Sequence, residues 1–198
     1  VNWSMVTFSF VAMDQVVNTA AKMNYFYDGR SSVPAVFRIW TGFRRSGGPQ
    51  QSQSNEAMFA HVPGLKVVMP STPHDVKGLL KSAIRDNSPV IFCEPKGVYA
   101  DKGPVPEEDY TVPLGEAKVA REGDDISVIA LGAMVPKALA AADALAGERV
   151  SVEVVDPRTL RPLDGDALIA SVRKTGRAVI VHEANTFGGF GGEIVAKR

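Results

Sequence analysis

Apolar positions in the first half of the chain switch between helical spacing and short apolar runs. From Ala12 to Ala21 they recur every three or four residues, which predicts a helix. Residues 34–40 and 66–69 are short, largely apolar runs that predict strands. Residues 90–93 are apolar throughout, which is typical of a strand buried on both faces. The pattern therefore predicts strands and helices in alternation.

Polar residues, prolines and glycines mark the ends of the other elements in this half. Residues 71–73, Ser-Thr-Pro, place a hydroxyl cap and a proline at the start of a second helix. That helix is predicted to run to about Asp86, because Pro89 stops it. A helical turn is predicted over residues 56–61. Residues 41–53 are rich in Gly, Ser and Arg and are predicted to be a loop.

The second half repeats the alternation. Its apolar runs predict three strands, and the spacing between them predicts two helices, the second capped by Asp164 and ended by Gly176. The strands are 126–131, 150–155 and 178–181, and the first helix is 135–146. Such alternation predicts an α/β fold of two domains, each with a mainly parallel sheet flanked by helices.

A proline-rich segment separates the two halves. Residues 95–113 contain four prolines and several charges, as in a linker between domains. We predict a first domain over residues 1–94, a linker over 95–110 and a second domain over 111–198.

Composition and charge narrow the possible partners. The 22 basic and 22 acidic residues balance, so nothing supports nucleic acid or an anionic membrane surface as a partner. Cys93 is the only cysteine, which excludes an internal disulfide and fits a reducing compartment. No apolar run reaches the roughly 18 residues that span a bilayer.

The two ends of the sequence suggest a piece of a longer protein. The chain does not begin with methionine, and its first residues do not resemble a signal peptide. Residues 193–198 resemble a helix that is cut short. We therefore expect a fragment.

No stand-alone catalytic motif is present. The glycines near residue 190 follow a strand and open a helix, as a phosphate-binding loop would, but their spacing differs from the dinucleotide fingerprint. Close packing between helix and sheet is the alternative interpretation, and the one we favour. These glycines are residues 188, 189, 191 and 192.

Four longer phrases resemble a known family. They are QSQSNEAMFAHVPGLKVVMPSTPHDVKGLLKSAIRDNSPVIFCEPK, DYTVPLGEAKVAREGDDISVIALGAMV, VEVVDPRTLRPLD and GRAVIVHEANTFGGFGGEI. Together they resemble the β subunit of the thiamine-diphosphate-dependent 2-oxo acid dehydrogenases for pyruvate, branched-chain 2-oxo acids and acetoin. Transketolase itself is similar in fold but not in these phrases.

The resemblance implies a layout and a set of partners. The first half corresponds to a pyrimidine-binding domain of the transketolase type without its opening segment. The second half corresponds to the transketolase C-terminal domain without its tail. An α subunit would supply the diphosphate and magnesium contacts, a second β subunit would complete the assembly, and a lipoyl acyltransferase core would accept the acyl group. The expected location is bacterial cytoplasm or an organelle matrix.

Cofactor contact is implied for one aromatic residue. The family stacks a Phe or Tyr on the aminopyrimidine ring of thiamine diphosphate, and Phe8 in VTFSFVAMDQ stands at that position. The glutamate that activates the ring would precede residue 1. From the sequence pattern alone, the favoured interpretation is that Phe8 and Phe10 are ordinary apolar residues that lead into a helix.

Gln51 is the largest departure from the family pattern. Relatives carry a histidine here, in a His-Ser-Gln phrase, that orients the substrate and the lipoyl acceptor. The sequence has Gln51-Ser52-Gln53 instead. An amide forms hydrogen bonds but does not carry a proton near pH 7. The substitution implies altered chemistry, lost activity, or compensation by the α subunit.

A structural potassium site is also implied by the resemblance. In the family it consists of backbone carbonyls and a side-chain oxygen at a helix C-terminus, which suits a hard cation. Ser88 stands where relatives usually have Asn, and a plain helix end is the alternative interpretation. The corresponding positions are Ala35, Ala83, Ile84, Asp86 and Ser88.

Other polar residues have weaker claims to a function. His61 is expected to be structural at a helix end, and His74 to be solvated in a first helical turn. His182 and Glu183 follow a strand, where crevices form, but a structural or interface role is expected. Arg44 and Arg45 either meet an anionic substrate or the α subunit, or lie in a solvated loop.

Three functional hypotheses follow. In the first, the chain is part of a 2-oxo acid dehydrogenase subunit. In the second, it is a catalytically incompetent structural module that retains only the assembly surfaces. The third, another thiamine enzyme of the transketolase group, is disfavoured by the quoted phrases.

Overall fold

Nine strands and seven α-helices make up the computed structural model, which describes residues 1–43 and 47–197. The strands are β1 (Asn2–Trp3), β2 (Val36–Thr41), β3 (Lys66–Val68), β4 (Val90–Pro95), β5 (Lys118–Arg121), β6 (Ile126–Ala130), β7 (Val152–Asp156), β8 (Thr159–Arg161) and β9 (Ala178–Val181). The helices are α1 (Met23–Phe26), α2 (Gly48–Gln51), α3 (Glu56–Ala60), α4 (Pro73–Arg85), α5 (Met134–Ala146), α6 (Gly165–Thr175) and α7 (Phe190–Ala196).

The first sheet has the strand order β1-β2-β4-β3-β8. Its first four strands are parallel, and β8 pairs antiparallel with β3. At the centre of the sheet, β4 is buried along its whole length, and Ile91, Phe92 and Cys93 have no exposed surface. Its uninterrupted apolar run is therefore explained by burial on both faces.

The second sheet has the order β5-β7-β6-β9. Strands β7, β6 and β9 are parallel, and β5 is antiparallel to β7. Helix α6 begins where the Asp164 side chain accepts a hydrogen bond from the Ala167 N–H, and Gly176 ends it at a φ of 71°. Two mostly parallel sheets with flanking helices confirm the predicted α/β fold class.

The structure corrects three details of the sequence-based prediction. The first helical segment begins at Val6 rather than Ala12, as a 3-10 helix over Val6–Ala12 that leads into a π-helix over Gln15–Ala20. Helix α2 lies inside the predicted loop over residues 41–53. Three strands were missed, β1, β5 and β8, because they are short or lie at a sheet edge and carry no apolar run.

The predicted domain boundaries, 1–94 and 111–198 around a linker at 95–110, stay a prediction. The structure adds one feature that they do not anticipate, since β8 belongs to the second half of the sequence but extends the first sheet. The two halves therefore share backbone hydrogen bonds as well as side-chain contacts.

Buried polar groups join the two halves beside β8. Arg158 donates from Nη1 to Asp75 Oδ1 at 3.2 Å, and its Nη2 donates to the Glu116 carbonyl at 2.9 Å. The Ser71 hydroxyl donates to Asp156 Oδ2, and the Arg158 N–H donates to Asp156 Oδ1 at 2.9 Å. We refer to Ser71, Asp75, Asp156 and Arg158 as the junction cluster.

The pKa values of the two carboxylates of the junction cluster are shifted in opposite directions. Burial raises the pKa of Asp156 to about 6, helped by the nearby charge of Asp75 and opposed by the hydrogen bond from Ser71. Burial acts to raise the pKa of Asp75 too, but hydrogen bonds and charge from Thr72 and Arg158 lower it below its ordinary value. Arg158 therefore stabilises the ionised form of Asp75 more than that of Asp156.

We predict that ionisation of Asp156 lowers the free energy of unfolding as pH rises. Its folded pKa exceeds the ordinary 3.8, so its contribution is fully present below pH 3.8 and is lost as pH passes about 6. Asp156→Asn removes the titrating group. The free energy of unfolding of wild type relative to this variant should fall by up to about 3 kcal/mol between pH 4 and 7. Urea unfolding across this pH range measures the difference.

Asp143→Asn is the matched control, because Asp143 is an exposed carboxylate on α5, paired with Arg121. The free energy of unfolding of Asp143→Asn should change with pH in parallel with that of wild type. If Asp156→Asn also stays parallel, Asp156 does not have a raised pKa in the folded protein.

Candidate functional site

The predicted catalytic and cofactor-binding positions, Gln51 and Phe8, lie on elements near the carboxyl ends of β2 and β4. Parallel sheets bind ligands at this edge, because the loops that follow the strands form crevices there. Helix α2, which ends at Gln51, packs against the 3-10 helix that carries Phe8. The fold thus brings together the elements that carry the predicted cofactor-binding and catalytic positions. The roles of Phe8 and Gln51 stay predictions.

Phe8 is exposed because of the period of the 3-10 helix. Residues three apart lie on one face of such a helix, and Val6 and Ser9 occupy its buried face. Phe8 lies on another face with 46% of its surface exposed, and Val11 is 93% exposed. Within the described part of the chain, Phe8 belongs to none of the stacked aromatic pairs. Its ring is therefore accessible for stacking.

The backbone of Gln51 is held by a hydrogen bond to its carbonyl. Its carbonyl accepts a hydrogen bond from the Lys96 ammonium, which also lies 3.8 Å from the Met5 sulfur. Lys96 comes directly after β4 and is only 7% exposed. One buried cation therefore contacts both α2 and the segment that leads into the 3-10 helix.

Lys96 lies in an environment that disfavours its charge. Burial lowers the pKa of its ammonium, and the carboxylate of Glu183 acts in the opposite direction. Among the described residues, no carboxylate lies within salt-bridge distance of its nitrogen.

Glu183 reaches this crevice from the second sheet, just beyond β9. Its Oε1 accepts a hydrogen bond of 2.8 Å from the Phe43 N–H. Gly42 has a φ of 83°, and a Cβ there would lie 2.1 Å from Glu183 Oε2. Glycine at position 42 is thus required both by the backbone conformation and by the close approach of Glu183.

Buried side-chain oxygens without hydrogen-bond partners in the described part of the chain occur next to Phe8 and at the start of α3. Glu56, at the start of α3, is 2% exposed, and its Oε2 has no hydrogen-bond partner in the described part of the chain. Burial, with a smaller contribution from the charge of Glu183, raises the pKa of Glu56. Thr7 Oγ1 and Asn55 Oδ1 are also buried without partners. Such atoms are rare in folded proteins and suggest that water or a ligand satisfies them.

The positions predicted for potassium lie at the other end of the first sheet. Helix α4 ends at Arg85, so the carbonyls of Ala83 and Ile84 belong to its last turn, which lacks helical N–H partners. The Asp86 carboxylate pairs with Lys66 and accepts from the Ser88 N–H at 2.7 Å. Burial acts to raise the pKa of Asp86, but these hydrogen bonds lower it.

Ala35, the remaining position of this set, uses its carbonyl to accept from the Val90 N–H at 2.9 Å. A carbonyl has a second lone pair, so this bond does not prevent cation binding. The potassium site stays a prediction.

The histidines of the first half have structural surroundings. His61 caps the end of α3, where its N–H donates to the Ala57 carbonyl at 3.0 Å. His74 stacks on Tyr110 with ring centroids 4.7 Å apart and is therefore less solvated than we expected. Arg44 and Arg45 lie outside the described residues.

The imidazole of His182 packs against the glycine-rich segment. A Cβ on Gly189 or Gly191 would lie 2.6 Å from this ring, and one on Gly189 would also lie 2.2 Å from the Asn185 carbonyl oxygen. The two glycines therefore serve close packing between this segment and the end of β9. The same contact leaves Nδ1 of His182 buried without a partner in the described chain.

A large cleft lies elsewhere, between α3, β8 and α7. It has a volume of about 1100 Å³, and its polar lining includes His61, Arg161, Glu193 and Lys197. It contains none of the predicted cofactor, catalytic or metal positions. Volume alone therefore does not identify the site.

This chain would provide part of a thiamine diphosphate site. The accessible ring of Phe8 suits a stacked pyrimidine, and the buried hydroxyl oxygen of the neighbouring Thr7, which has no partner among the described residues, suits a polar ring atom. The described residues contain no group of three His, Cys, Asp or Glu side chains arranged for a metal ion. These residues fit the pyrimidine end of the cofactor.

Comparison with known proteins decides the family. The model of the transketolase pyrimidine binding domain matches residues 1–102, and that of the transketolase C-terminal domain matches residues 115–197. The chain belongs to the transketolase family. The two transketolase-like domains that the resemblance implied are thereby confirmed.

The relatives of this transketolase-family chain are dehydrogenase and oxidoreductase subunits. It is 49% identical to the β subunit of acetoin:2,6-dichlorophenolindophenol oxidoreductase of Cupriavidus necator, over 91% of this chain and 53% of that protein. It is 48% identical to the pyruvate dehydrogenase E1 β subunit of Bacillus subtilis, over 96% and 59%. The 2-oxoisovalerate dehydrogenase β subunit of the same organism is 47% identical, over 96% and 58%.

A solved structure agrees with the fold. It is described as a split-gene transketolase, an inactive β4 tetramer, and it matches with a TM-score of 0.80 and 25% identity. The match covers 97% of this chain and 60% of that one. The chain thus spans somewhat more than half the length of the relatives it matches.

Sequence reasoning missed Lys96 and underrated Glu183 and Glu56. Lys96 was visible only as the last residue of a quoted phrase. The available signal was its position just beyond the strand that the apolar run 90–93 predicts, since residues that follow a parallel strand lie at the carboxyl edge of the sheet.

We predict that Gly42→Ala is more destabilising than Gly48→Ala. Both glycines have positive φ, 83° and 68°, so alanine is strained at each. Only at Gly42 does the new methyl group collide with another residue, Glu183. Gly42→Ala should cost about 2 kcal/mol, because the flexible Glu183 side chain can move aside only by giving up its hydrogen bond from the Phe43 N–H, and Gly48→Ala about 1 kcal/mol, measured by urea unfolding.

Adding Glu183→Ala to Gly42→Ala should recover part of the loss, because it removes the colliding carboxylate. Equal costs for the two single variants would mean that Glu183 does not approach Gly42 in solution.

Proposed function

We propose that this chain is the part of a 2-oxo acid dehydrogenase β subunit that contributes the aminopyrimidine side of a thiamine diphosphate site. One observation carries the proposal. In a chain 47–49% identical to such β subunits, the exposed Phe8 and the half-buried Gln51 lie on adjacent elements at the carboxyl edge of a parallel sheet.

The residues of the chain would divide the work as follows. Phe8 would stack on the pyrimidine ring and fix its plane. Gln51 would donate or accept hydrogen bonds where the acyl group is passed on, without carrying a proton. When bound, thiamine diphosphate supplies the nucleophilic carbon and the electron sink for decarboxylation. The burial of Glu56 and Lys96 indicates that little bulk water reaches the inner wall of the crevice.

An α subunit would complete the site from the other side. The proposal is supported by apolar side chains exposed beside Phe8 and on the following helix, since patches of this kind mark protein interfaces. They are Phe10, Val11, Tyr25, Phe26 and Tyr27. The diphosphate and magnesium contacts would belong to the α subunit. A second β subunit and a lipoyl acyltransferase core would be the other partners.

The idea of a purely structural module is not favoured, because the relatives are described as subunits of oxidoreductases and dehydrogenases. A potassium ion at the end of α4 would have a structural role only. Within the described residues, no helix is long and apolar enough to cross a bilayer. We propose bacterial cytoplasm or an organelle matrix as the location.

The first test concerns Gln51, in the full-length subunit assembled with its α partner. Wild type should be slow in acyl transfer to a lipoyl acceptor, because an amide replaces a proton-carrying imidazole. Gln51→His should speed that step, by up to about 10²–10⁴-fold, and change decarboxylation less. Pre-steady-state kinetics separate the two steps.

Gln50→His is the matched control, because Gln50 is the exposed neighbouring amide on α2. It should leave both rates unchanged. If Gln51→His also leaves both unchanged, or slows acyl transfer, Gln51 is not a replacement for the catalytic histidine.

The second test concerns Phe8. In the same assembly, Phe8→Leu should weaken thiamine diphosphate binding by about 2- to 10-fold, as expected from the loss of one aromatic contact. Phe10→Leu, two residues away and 39% exposed, should leave it unchanged. Titration calorimetry measures both. Equal effects of the two variants would argue against a specific stacking role for Phe8.

A further inference from the structure

The ammonium of Lys96 contacts two segments of the proposed site, and Lys96 itself follows directly after a third, β4. It follows β4, its ammonium donates to the carbonyl of Gln51 at the end of α2, and Met5 contacts it from the segment before the 3-10 helix. At 7% exposure the side chain is among the few buried charged groups of the chain. A buried charge is costly unless its contacts are needed, so this arrangement calls for an explanation.

The contact with Gln51 has a clear physical reason. The last carbonyls of a helix have no N–H partners within the helix, and lysine side chains near a C-terminus satisfy them. Helix α2 has only four residues and cannot hold its own orientation. The Lys96 ammonium is therefore an external contact that helps to fix the end of α2 and the backbone of Gln51, in addition to the packing of α2 against the 3-10 helix.

The charges around Lys96 come from few elements. Glu183, beyond β9, is the charged group whose field acts on the ammonium, and it also acts on Glu56 of α3. Glu94, two residues earlier on β4, is already bound by Arg38 Nε at 2.6 Å and by the indole of Trp40. Glu183 also lies beside the end of α2, because it accepts from the Phe43 N–H at 2.8 Å while the N–H of the preceding Gly42 donates to the Gln53 carbonyl at 2.8 Å.

We propose that Lys96 is a positioning residue of this site, which holds the end of α2, with Gln51, against the segment that leads to Phe8, and that Glu183 of the C-terminal domain supplies its countercharge. The proposal rests on the proposed function, since the site being positioned is the one for acyl transfer. It gives the C-terminal domain a direct part in a site otherwise built from the pyrimidine binding domain.

The consequence for the reaction is specific. Displacing Gln51 by a fraction of an ångström should slow the step in which Gln51 takes part, and it should leave substrate affinity nearly unchanged. Loss of the Lys96 proton at alkaline pH should have the same effect as loss of the side chain. Burial lowers the pKa of Lys96 below that of an ordinary lysine, so an alkaline limb is expected in the rate profile.

The experiment uses the full-length subunit assembled with its α partner. Lys96→Met should lower kcat for acyl transfer by about 10- to 100-fold with little change in KM, and Lys96→Arg should restore most of it. Glu183→Gln retains an acceptor for the Phe43 N–H but removes the charge, so it should move the alkaline limb to lower pH. Lys96→Arg should remove that limb, since arginine stays charged.

The matched control is Lys22→Met, because Lys22 also donates to a backbone carbonyl, that of Pro63, but lies outside this site. It should leave kcat and the pH profile unchanged. If Lys96→Met has the wild-type rate, or if Glu183→Gln leaves the alkaline limb in place, the proposal is wrong.

A second readout does not depend on activity. Carbon-13 labelling at lysine Cε allows Lys96 to be titrated by NMR in the full-length subunit, with its signal assigned by Lys96→Arg. The titration midpoint should lie below the ordinary value of a lysine side chain and fall further in Glu183→Gln. If wild type shows no dehydrogenase activity, the proposed function fails, and this titration still decides whether Lys96 and Glu183 are coupled. A midpoint unmoved by Glu183→Gln would overturn the proposal.

Discussion

The arrangement of the whole molecule depends on how two halves of one chain are held together across a buried polar junction. Arg158 bonds Asp75 on α4, while Asp156 accepts from Ser71, and both acidic side chains are nearly or fully inaccessible. Removing one partner of such a set leaves an uncompensated buried charge, which is strongly destabilising. The geometry is reinforced by β8, which extends the first sheet with a strand from the second half. The two halves are therefore coupled, not merely tethered.

That coupling matters because the proposed site takes residues from both halves. The first half provides the helix with Phe8, the end of α2 with Gln51, and Lys96 after β4. The second half provides Glu183, which binds the Phe43 N–H and places a negative charge near Lys96 and Glu56. A rotation of one half against the other would separate these groups, and it would also disturb the apolar cluster that the two halves share, in which Val6 lies together with Ile129 and Phe190. The family relationship explains why both domains occur together, and the contacts explain what each contributes.

The sequence was most informative where burial imposes a simple pattern. The strand β4 and the capped helices α4 and α6 were predictable because apolar runs and cap residues report local forces. The strand β8 was not, since three residues carry no periodic signal and its pairing with β3 is made by the fold. Gln51 and Phe8 were found through family phrases alone. Lys96 and Glu183 escaped because their significance comes from proximity across the chain, which no local pattern encodes.

The central claim is that the junction cluster holds the second half against the crevice of the first. Amide hydrogen exchange of Phe43 in Arg158→Met tests it most directly, with Arg121→Met, which removes an exposed ion pair, as the control. Breaking the junction should release Glu183 and speed exchange at Phe43 by at least about tenfold, while the amides of β4 stay protected. Unchanged protection of Phe43 in a folded Arg158→Met protein would contradict the account.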